Sequence, residues 1–308
     1  MRPKLKNLMC LTDLSDFSNQ TIDYGIALAK EYESRLYLCH VVDIPSMALY
    51  AEANMDPVEQ QNQIIKNAEI SLGDLIKGEN IDWQPLISVG PTVSEISRLV
   101  EEKNIDLAIS ASHGRSGLKR LVLGSVTEEL MRTISCPMLI IRGPEQVGKK
   151  PEPIEFRLKK IMAGCDFSSD SILAFRYALS FAQEFEAELH LVHVIEPTEY
   201  KHLSKAVNDA EKSFYNELRK LLNKKLENLV PQEARNWCSP KTTLLEGRAD
   251  EKIVQYAKDN AIDLIFLGVR GHGLVETLFV GSTTDRVARQ ASCPVLSVRP
   301  ISNITESA

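Results

Sequence analysis

The sequence repeats its own landmarks at a nearly constant distance, and this duplication constrains the fold more than any other feature. Early in each half, equivalent residues lie 153 positions apart, as Asp13 and Asp166 do. Later in each half the distance is 157 positions, as between Gly114 and Gly271. The same two distances relate further pairs, which are His40 and His193, Gly90 and Gly247, Gly124 and Gly281, and Cys136 and Cys293. A repeat of this length is a domain rather than a solenoid unit, so the sequence predicts two tandem domains.

A linker-like segment separates the two copies. Residues 143–157 are rich in proline, glycine and charged residues, which is typical of a connection between domains. We therefore predict a first domain over residues 1–145 and a second over residues 155–308. With 44% hydrophobic residues, a chain of 308 residues can fill two separate cores.

Each copy alternates short apolar strands with helices. The predicted strands are residues 5–11, 35–42, 83–89, 107–110 and 138–141 in the first copy, and 160–163, 188–195, 242–245, 264–268 and 295–298 in the second. Apolar strands that alternate with helices indicate a parallel sheet covered on both faces. The predicted fold class is therefore α/β, with two tandem Rossmann-like doubly wound domains, each a five-stranded parallel sheet flanked by helices.

This fold predicts where a ligand binds. In a doubly wound sheet, ligands bind at the carboxyl ends of the strands, where the strand order reverses. The first strand ends at Asp13 or Asp166, and the fourth at Ala111 or Gly268. We expect these two ends to be neighbours in each domain.

The predicted helices carry apolar residues at helical spacing. In the first copy they cover residues 18–32, 57–77, 93–103 and 125–133. The long helix of the second copy shows a stripe formed by Val207, Ala210, Phe214, Leu218, Leu221 and Leu226. This stripe predicts an amphipathic helix.

Composition excludes several classes of function. The formal net charge is −6, which argues against nucleic acid as a partner. The six cysteines show no C-x-x-C pair, so a reducing cytoplasm is expected. The first apolar run is broken at Asp13, unlike a signal peptide. No apolar run reaches the roughly eighteen residues that a membrane helix needs, and we expect no membrane association.

A glycine-rich loop follows the fourth strand of the second copy. Gly268 lacks a β-carbon, so a ligand can lie directly on the backbone at the strand end. Gly271 and Gly273 allow positive φ, which would turn successive N–H groups inward as an anion nest. Gly281-Ser282-Thr283 then opens a helix, whose N–H groups and dipole favour phosphate, with hydroxyl donors beside them. Together with Asp166 across the switch point, the loop indicates a phosphate-binding site.

The serines have an alternative interpretation. Ser125-Val126-Thr127-Glu128 matches a capping box, in which the serine caps the helix, and Ser282-Thr283-Thr284-Asp285 resembles one. For an isolated Gly-Ser, capping alone is sufficient. The combination with Gly268, Gly271 and Asp166 favours phosphate binding, and the two roles can coexist.

Together these motifs resemble the universal stress protein family. The resemblance consists of the Gly-x-x-Gly, nine residues, Gly-Ser spacing, an Asp ending the first strand, a His-Val ending the second and a Cys-Pro before the last. It covers nearly the whole chain as two copies. In nucleotide-binding members this motif holds ATP, so the resemblance implies adenosine at Asp166 and Val194, and phosphates at Gly268, Gly271, Gly281 and Ser282. The corresponding residues of the first copy are Asp13, Val41, Gly114, Gly124 and Ser125.

The two copies differ at positions that matter for this expectation. Ala111 stands where ATP-binding members have the first glycine. A methyl group that projects toward the ligand costs roughly 1–3 kcal/mol, or about ten- to a hundredfold in affinity, so we expect the second domain to bind more tightly. Arg270 in the second copy either contacts a phosphate bidentately or is an ordinary surface arginine.

No catalytic motif accompanies the loop. The sequence contains no H-E-x-x-H, G-x-S-x-G or P-loop motif. His190 and His193 are three residues apart on a strand, so they face opposite sides and cannot share a metal. We expect no catalytic residues and no metal site in the protein. Mg²⁺ would arrive with a nucleotide, with Asp13 or Asp166 as candidate partners.

The sequence thus predicts a cytoplasmic stress-response or signalling protein that binds ATP, ADP or AMP and at most hydrolyses ATP weakly. The alternative is a tandem adaptor that acts through dimerisation without nucleotide. Family dimers commonly pair through their last strands. The resemblance therefore implies an intramolecular pseudo-dimer through residues 137–142 and 294–299, and leaves a further homodimer open.

Overall fold

The structure is a computed structural model that describes residues 5–42, 57–112, 123–142, 158–196, 209–238, 240–271 and 281–300. The chain divides into two compact units between residues 156 and 157. Gly114, Gly273 and Val207 of the predictions above lie outside the described residues.

The first unit alternates strands and helices along its whole described length. Its strands are β1 (Asn7–Leu11), β2 (Arg35–Val42), β3 (Trp83–Val89), β4 (Leu107–Ala111) and β5 (Met138–Ile141). Its helices are α1 (Asp16–Tyr32), α2 (Pro57–Leu75), α3 (Thr92–Glu102) and α4 (Ser125–Thr133). Helix α1 begins two residues before the predicted start, because the Ser15 side chain caps it by accepting a hydrogen bond from the Ser18 N–H.

The second unit repeats this order. Its strands are β6 (Lys160–Gly164), β7 (Glu188–Ile195), β8 (Lys241–Glu246), β9 (Leu264–Gly268) and β10 (Val295–Val298). Its α-helices are α5 (Ser169–Glu184), α6 (Asp209–Leu229), α7 (Ala249–Asp259) and α8 (Ser282–Gln290), and a 3₁₀ turn spans Gln232–Asn236.

Each unit contains a parallel sheet whose chain winds outward in both directions from its first strand. The strand order is β3-β2-β1-β4-β5 in the first unit and β8-β7-β6-β9-β10 in the second. Strand β1 pairs with both β2 and β4, and β6 with both β7 and β9. The order therefore reverses beside the first strand, and the ends of the first and fourth strands are neighbours. The predicted doubly wound α/β fold is confirmed.

The amphipathic stripe predicted on the long helix α6 is wrong in part. Leu226 is fully buried, and Leu218 and Leu222 are partly buried, whereas the side chains of Phe214 and Leu221 are 57% and 64% exposed. The buried face runs through residues four apart, so it is rotated away from the predicted stripe. None of the described helices, α6 included, is long and apolar enough to cross a membrane.

The turn between β3 and α3 depends on a glycine. Gly90 has a φ of 143°, which residues with a side chain rarely adopt, and its repeat partner Gly247 has a φ of 131°. We expect Gly90→Ala to lower the free energy of unfolding of the first unit by about 1–3 kcal/mol because alanine is strained there. The chain has two tryptophans, Trp83 and Trp237, one in each unit. Urea unfolding in a Trp237→Phe background, followed by Trp83 fluorescence, measures the first unit.

Gly73, inside helix α2, provides the matched control. A β-carbon built there meets no atom within 4 Å. We expect Gly73→Ala to stabilise the first unit by about 1 kcal/mol, because alanine has the higher helix propensity. A Gly90→Ala protein as stable as the unmodified one would contradict the constraint ascribed to this turn.

Candidate functional site

The carboxylate of Asp166 lies just beyond β6 and is oriented by the residue that begins helix α5. Its Oδ1 accepts hydrogen bonds from the Ser168 N–H at 2.9 Å and from Ser168 Oγ at 2.5 Å. Ser168 also caps α5 by accepting from the Ser171 N–H at 3.2 Å. The chain enters this turn through Phe167, which has a φ of 65°. Asp166 therefore presents a carboxylate of set orientation at the switch point.

Aromatic rings and a lysine surround the turn after Asp166. The Phe167 ring centroid lies 4.7 Å from that of His193 and 4.1 Å from Lys225 Nζ. His193 Nδ1 lies 2.7 Å from the carbonyl oxygen of Cys165. Burial raises the pKa of the Cys165 thiol, which therefore stays protonated at neutral pH and is a poor nucleophile.

The two histidines of β7 have different partners. His190 Nδ1 lies 2.8 Å from the Tyr256 hydroxyl on α7, away from the contact of His193 with Cys165. Burial lowers the pKa of His190, so its ring is neutral at pH 7. In the part of the chain that the structure describes, no three His, Cys, Asp or Glu side chains are grouped to hold a metal ion. Val194, which follows on the same strand, is 8% exposed and belongs to the core cluster.

Gly268 ends β9 directly against the first turn of α5. A β-carbon built at this position lies 2.6 Å from the carbonyl carbon of Asp170 and 2.7 Å from the nitrogen of Ser171. The side on which a side chain would project is thus filled by helix backbone, not open for a ligand as predicted. The equivalent residue Ala111 is buried at 6% exposure. The expected clash between its methyl group and a ligand therefore has no support in the geometry of this strand end.

Gly271 lies against Asp166. A β-carbon there would be 2.6 Å from Asp166 Oδ2, so the loop and the carboxylate are immediate neighbours. Its φ is not in the left-handed region, and the predicted nest with positive φ at Gly271 is wrong. The glycine is required by close approach rather than by backbone conformation.

Gly281 brings helix α8 to the loop. Its N–H donates to the carbonyl oxygen of Val269 at 2.7 Å. Gly281 and Gly124, not the serines after them, occupy the N-cap positions of α8 and α4, and neither helix has a side-chain cap. The capping-box interpretation, which placed Ser125 and Ser282 at the N-caps, is therefore wrong by one residue. Ser282 and Thr283, like Ser125 in the first unit, lie in the first turn of their helix.

A threonine attaches each of these helices to its strand end. Thr284 Oγ1 donates to the carbonyl oxygen of Gly268 at 2.6 Å, and Thr127 Oγ1 donates to that of Ala111 at 2.9 Å. The sequence shows both threonines at the same position of the repeat, which is the signal that could have identified them.

Arg270 is held by a buried carboxylate that the sequence pattern does not predict. Its Nε lies 3.0 Å from Asp170 Oδ2 and its Nη2 lies 3.3 Å from Oδ1. The side chains of Arg270 and Asp170 are 25% and 3% exposed. Burial, together with the Arg270 charge, lowers the pKa of the neighbouring Arg299. Arg270 is thus neither an isolated surface arginine nor free to meet a phosphate without leaving Asp170.

The first unit shares part of this arrangement. Asp13 Oδ1 accepts from Ser15 N at 3.0 Å, Ser15 Oγ at 2.5 Å and Ser18 Oγ at 2.6 Å. The Gly124 N–H donates to the carbonyl oxygen of Ser112 at 2.7 Å, as Gly281 does to Val269. Val41 is half-buried at the end of β2. The position of Asp170 is occupied by Phe17, 153 residues earlier.

Each unit is therefore a doubly wound α/β domain with an oriented carboxylate and a glycine-capped helix at the switch point, where domains of this class bind ligands. Residues 4–142 and residues 157–299 both match the Universal stress protein family. The chain belongs to this family and contains two of its domains in tandem.

Known relatives agree with this assignment. A universal stress protein of Methanocaldococcus jannaschii is 29% identical over 146 residues, which cover 46% of this chain and 84% of the relative. A universal stress protein of Synechocystis is 24% identical over an alignment of 321 residues, which covers 96% of this chain and 100% of the relative. The crystal structure of a universal stress protein from Archaeoglobus fulgidus has a TM-score of 0.68 at 20% identity and covers 96% of this chain and 99% of that one. This last likeness shows a shared fold.

Proposed function

We propose that this universal stress protein binds an adenine nucleotide, ATP, ADP or AMP, at the switch point of its second domain. The observation that carries the proposal is the contact between Gly271 and Asp166, because a β-carbon at Gly271 would lie 2.6 Å from Asp166 Oδ2. A side chain at residue 271 would have to displace this carboxylate. The loop end thus lies directly beside an oriented acceptor, and such an acceptor fits a ligand with hydroxyl donors, such as a ribose.

Within this proposal the two sides of the switch point have separate roles. Asp166 accepts hydrogen bonds from the ribose hydroxyls. The loop end at Gly271 and the first turn of α8, with Gly281, Ser282 and Thr283, contact the phosphates through N–H and hydroxyl groups, which favour anions at a helix N-terminus. A nucleotide would also bring Mg²⁺, which neutralises phosphate charge.

We further propose that binding serves stress response or signalling in the cytoplasm. A nucleotide shifts a conformational or partner equilibrium to the extent that it binds one state better. The six cysteines are free thiols, which accords with a reducing compartment. The alternatives are an adaptor that needs no nucleotide and a weak ATPase, and a product assay with labelled ATP distinguishes the ATPase from a binding protein.

Calorimetry with nucleotide-free protein and matched aspartate variants tests the proposal. We expect ATP to bind one tight site per chain. Asp166→Asn is expected to weaken that site by about ten- to a hundredfold, because hydrogen bonds to a charged acceptor are lost. Asp13→Asn, the equivalent change in the first domain, is expected to leave the tight site unchanged. No ATP binding by the unmodified chain would favour the adaptor, and equal losses in both variants would contradict the assignment to the second domain.

A further inference from the structure

The carboxylate of Asp170 is almost completely buried and is surrounded by donors. Three hydrogen bonds come from Arg270, namely from its Nε, its Nη2 and its backbone N–H, the last at 3.1 Å from Oδ2. The Ser169 hydroxyl lies 3.3 Å from Oδ1. A buried carboxylate requires such partners to offset the loss of hydration.

The contact fixes the main chain of the loop as well as a side chain. While Asp170 accepts the N–H of Arg270, Ser168 Oγ lies 3.3 Å from the carbonyl oxygen of Arg270. The first turn of α5 thus contacts both backbone groups of one loop residue. The next residue, Gly271, is the one that lies against Asp166.

The first domain has a different residue at the position of this carboxylate. Phe17 stands at the position of Asp170 and offers no acceptor. In the second domain, Gly268 allows the first turn of α5 to approach β9 closely enough for the carboxylate to reach the loop backbone. The two domains therefore differ in whether a carboxylate is present at this position to accept a backbone N–H after the fourth strand.

We propose that Asp170 is a positioning residue of the second domain. It fixes Arg270, and through Arg270 it holds residues 268–271 in the geometry that binds the phosphates. The proposal rests on the nucleotide-binding function proposed above. The Arg270 guanidinium binds Asp170, so Arg270 stabilises the loop and is not itself a phosphate ligand. The pair makes the second domain the tighter site.

The test compares Asp170→Asn, Arg270→Gln and the double variant in the full chain. Each single variant is expected to weaken ATP binding by about tenfold. The double variant is expected to bind no more weakly than the single variant with the lower affinity, because the two residues act as a unit. Amide hydrogen exchange of residues 264–271, measured without nucleotide, is expected to accelerate in all three. Asp250→Asn is the matched control. Like Asp170, Asp250 is a buried carboxylate in the first turn of a helix, and it is paired with Arg248 at 2.9 Å.

Tighter ATP binding by Asp170→Asn would overturn the proposal, because it would mean that a released Arg270 contacts the phosphates. Unchanged binding would overturn it too, because the pair would then have no effect on the site. Unchanged exchange in residues 264–271 would overturn it as well. Accelerated exchange without any ATP binding by the unmodified chain supports the positioning role and defeats the nucleotide function instead. If Asp170→Asn does not fold, Arg270→Gln, whose side chain is the more exposed of the two, carries both measurements.

Discussion

Gly268→Val is expected to destabilise the second unit by about 3 kcal/mol and to abolish nucleotide binding with it. The β-carbon would lie 2.6–2.7 Å from backbone atoms of Asp170 and Ser171, and a helix backbone cannot move aside as a side-chain end can. Overpacking of this kind costs about 1–3 kcal/mol, and the loss of the adjoining Asp170 contact adds to it. Urea unfolding in a Trp83→Phe background, with Trp237 as the probe, measures the effect.

Ala111→Gly is the reciprocal change in the first unit. We expect it to cost about 1 kcal/mol of stability, because glycine weakens a strand. We expect no gain in nucleotide binding. At Gly268, the equivalent residue of the second unit, a β-carbon would point to helix α5 and not to a ligand. A new ATP site in Ala111→Gly would restore the simpler explanation, in which a methyl group blocks the ligand.

Gly271→Val is expected to reduce ATP affinity by about a hundredfold or more while leaving the second unit folded. Its β-carbon would meet Asp166 Oδ2 at 2.6 Å, and the carboxylate can rotate away only by breaking its bonds to Ser168. Loss of an oriented charged acceptor accounts for this factor. Calorimetry gives the affinity, and Trp237 fluorescence is expected to show a stability change below about 1 kcal/mol.

Gly114→Val makes the equivalent substitution in the first copy and is expected to leave the tight site intact. A Gly271→Val protein that binds ATP normally would show that the ligand does not depend on the orientation of the Asp166 carboxylate. A Gly271→Val protein that unfolds would place this glycine with Gly268, as a requirement of packing.

The sequence was sufficient to predict the fold because its strands are apolar and its landmarks repeat. Parallel order and the reversal beside the first strand follow from alternating strands and helices, and they correctly bring Asp166 and Gly268 to neighbouring strand ends. The spacing also showed Gly90 and Gly247 as equivalent. It could not show that both are required for their positive φ, because φ is a property of the folded turn.

The physical role of each loop residue was beyond the sequence. Asp170 and Arg270 are 100 positions apart, and their contact depends on how closely α5 packs on β9, which no local pattern encodes. The same packing explains why Gly268 is a glycine. The N-cap of α8 was missed by one residue, since Gly281 and Ser282 are both acceptable caps in sequence and only the backbone geometry distinguishes them.

The close packing of α5 on β9 also couples two positions that lie far apart in the sequence. With alanine at the strand end, the backbone of α5 could not approach β9 as it does at Gly268, and the carboxylate of Asp170 would be a buried charge farther from the loop backbone. The residues at positions 268 and 170 therefore form one unit, and we expect the effects of changing them to be non-additive.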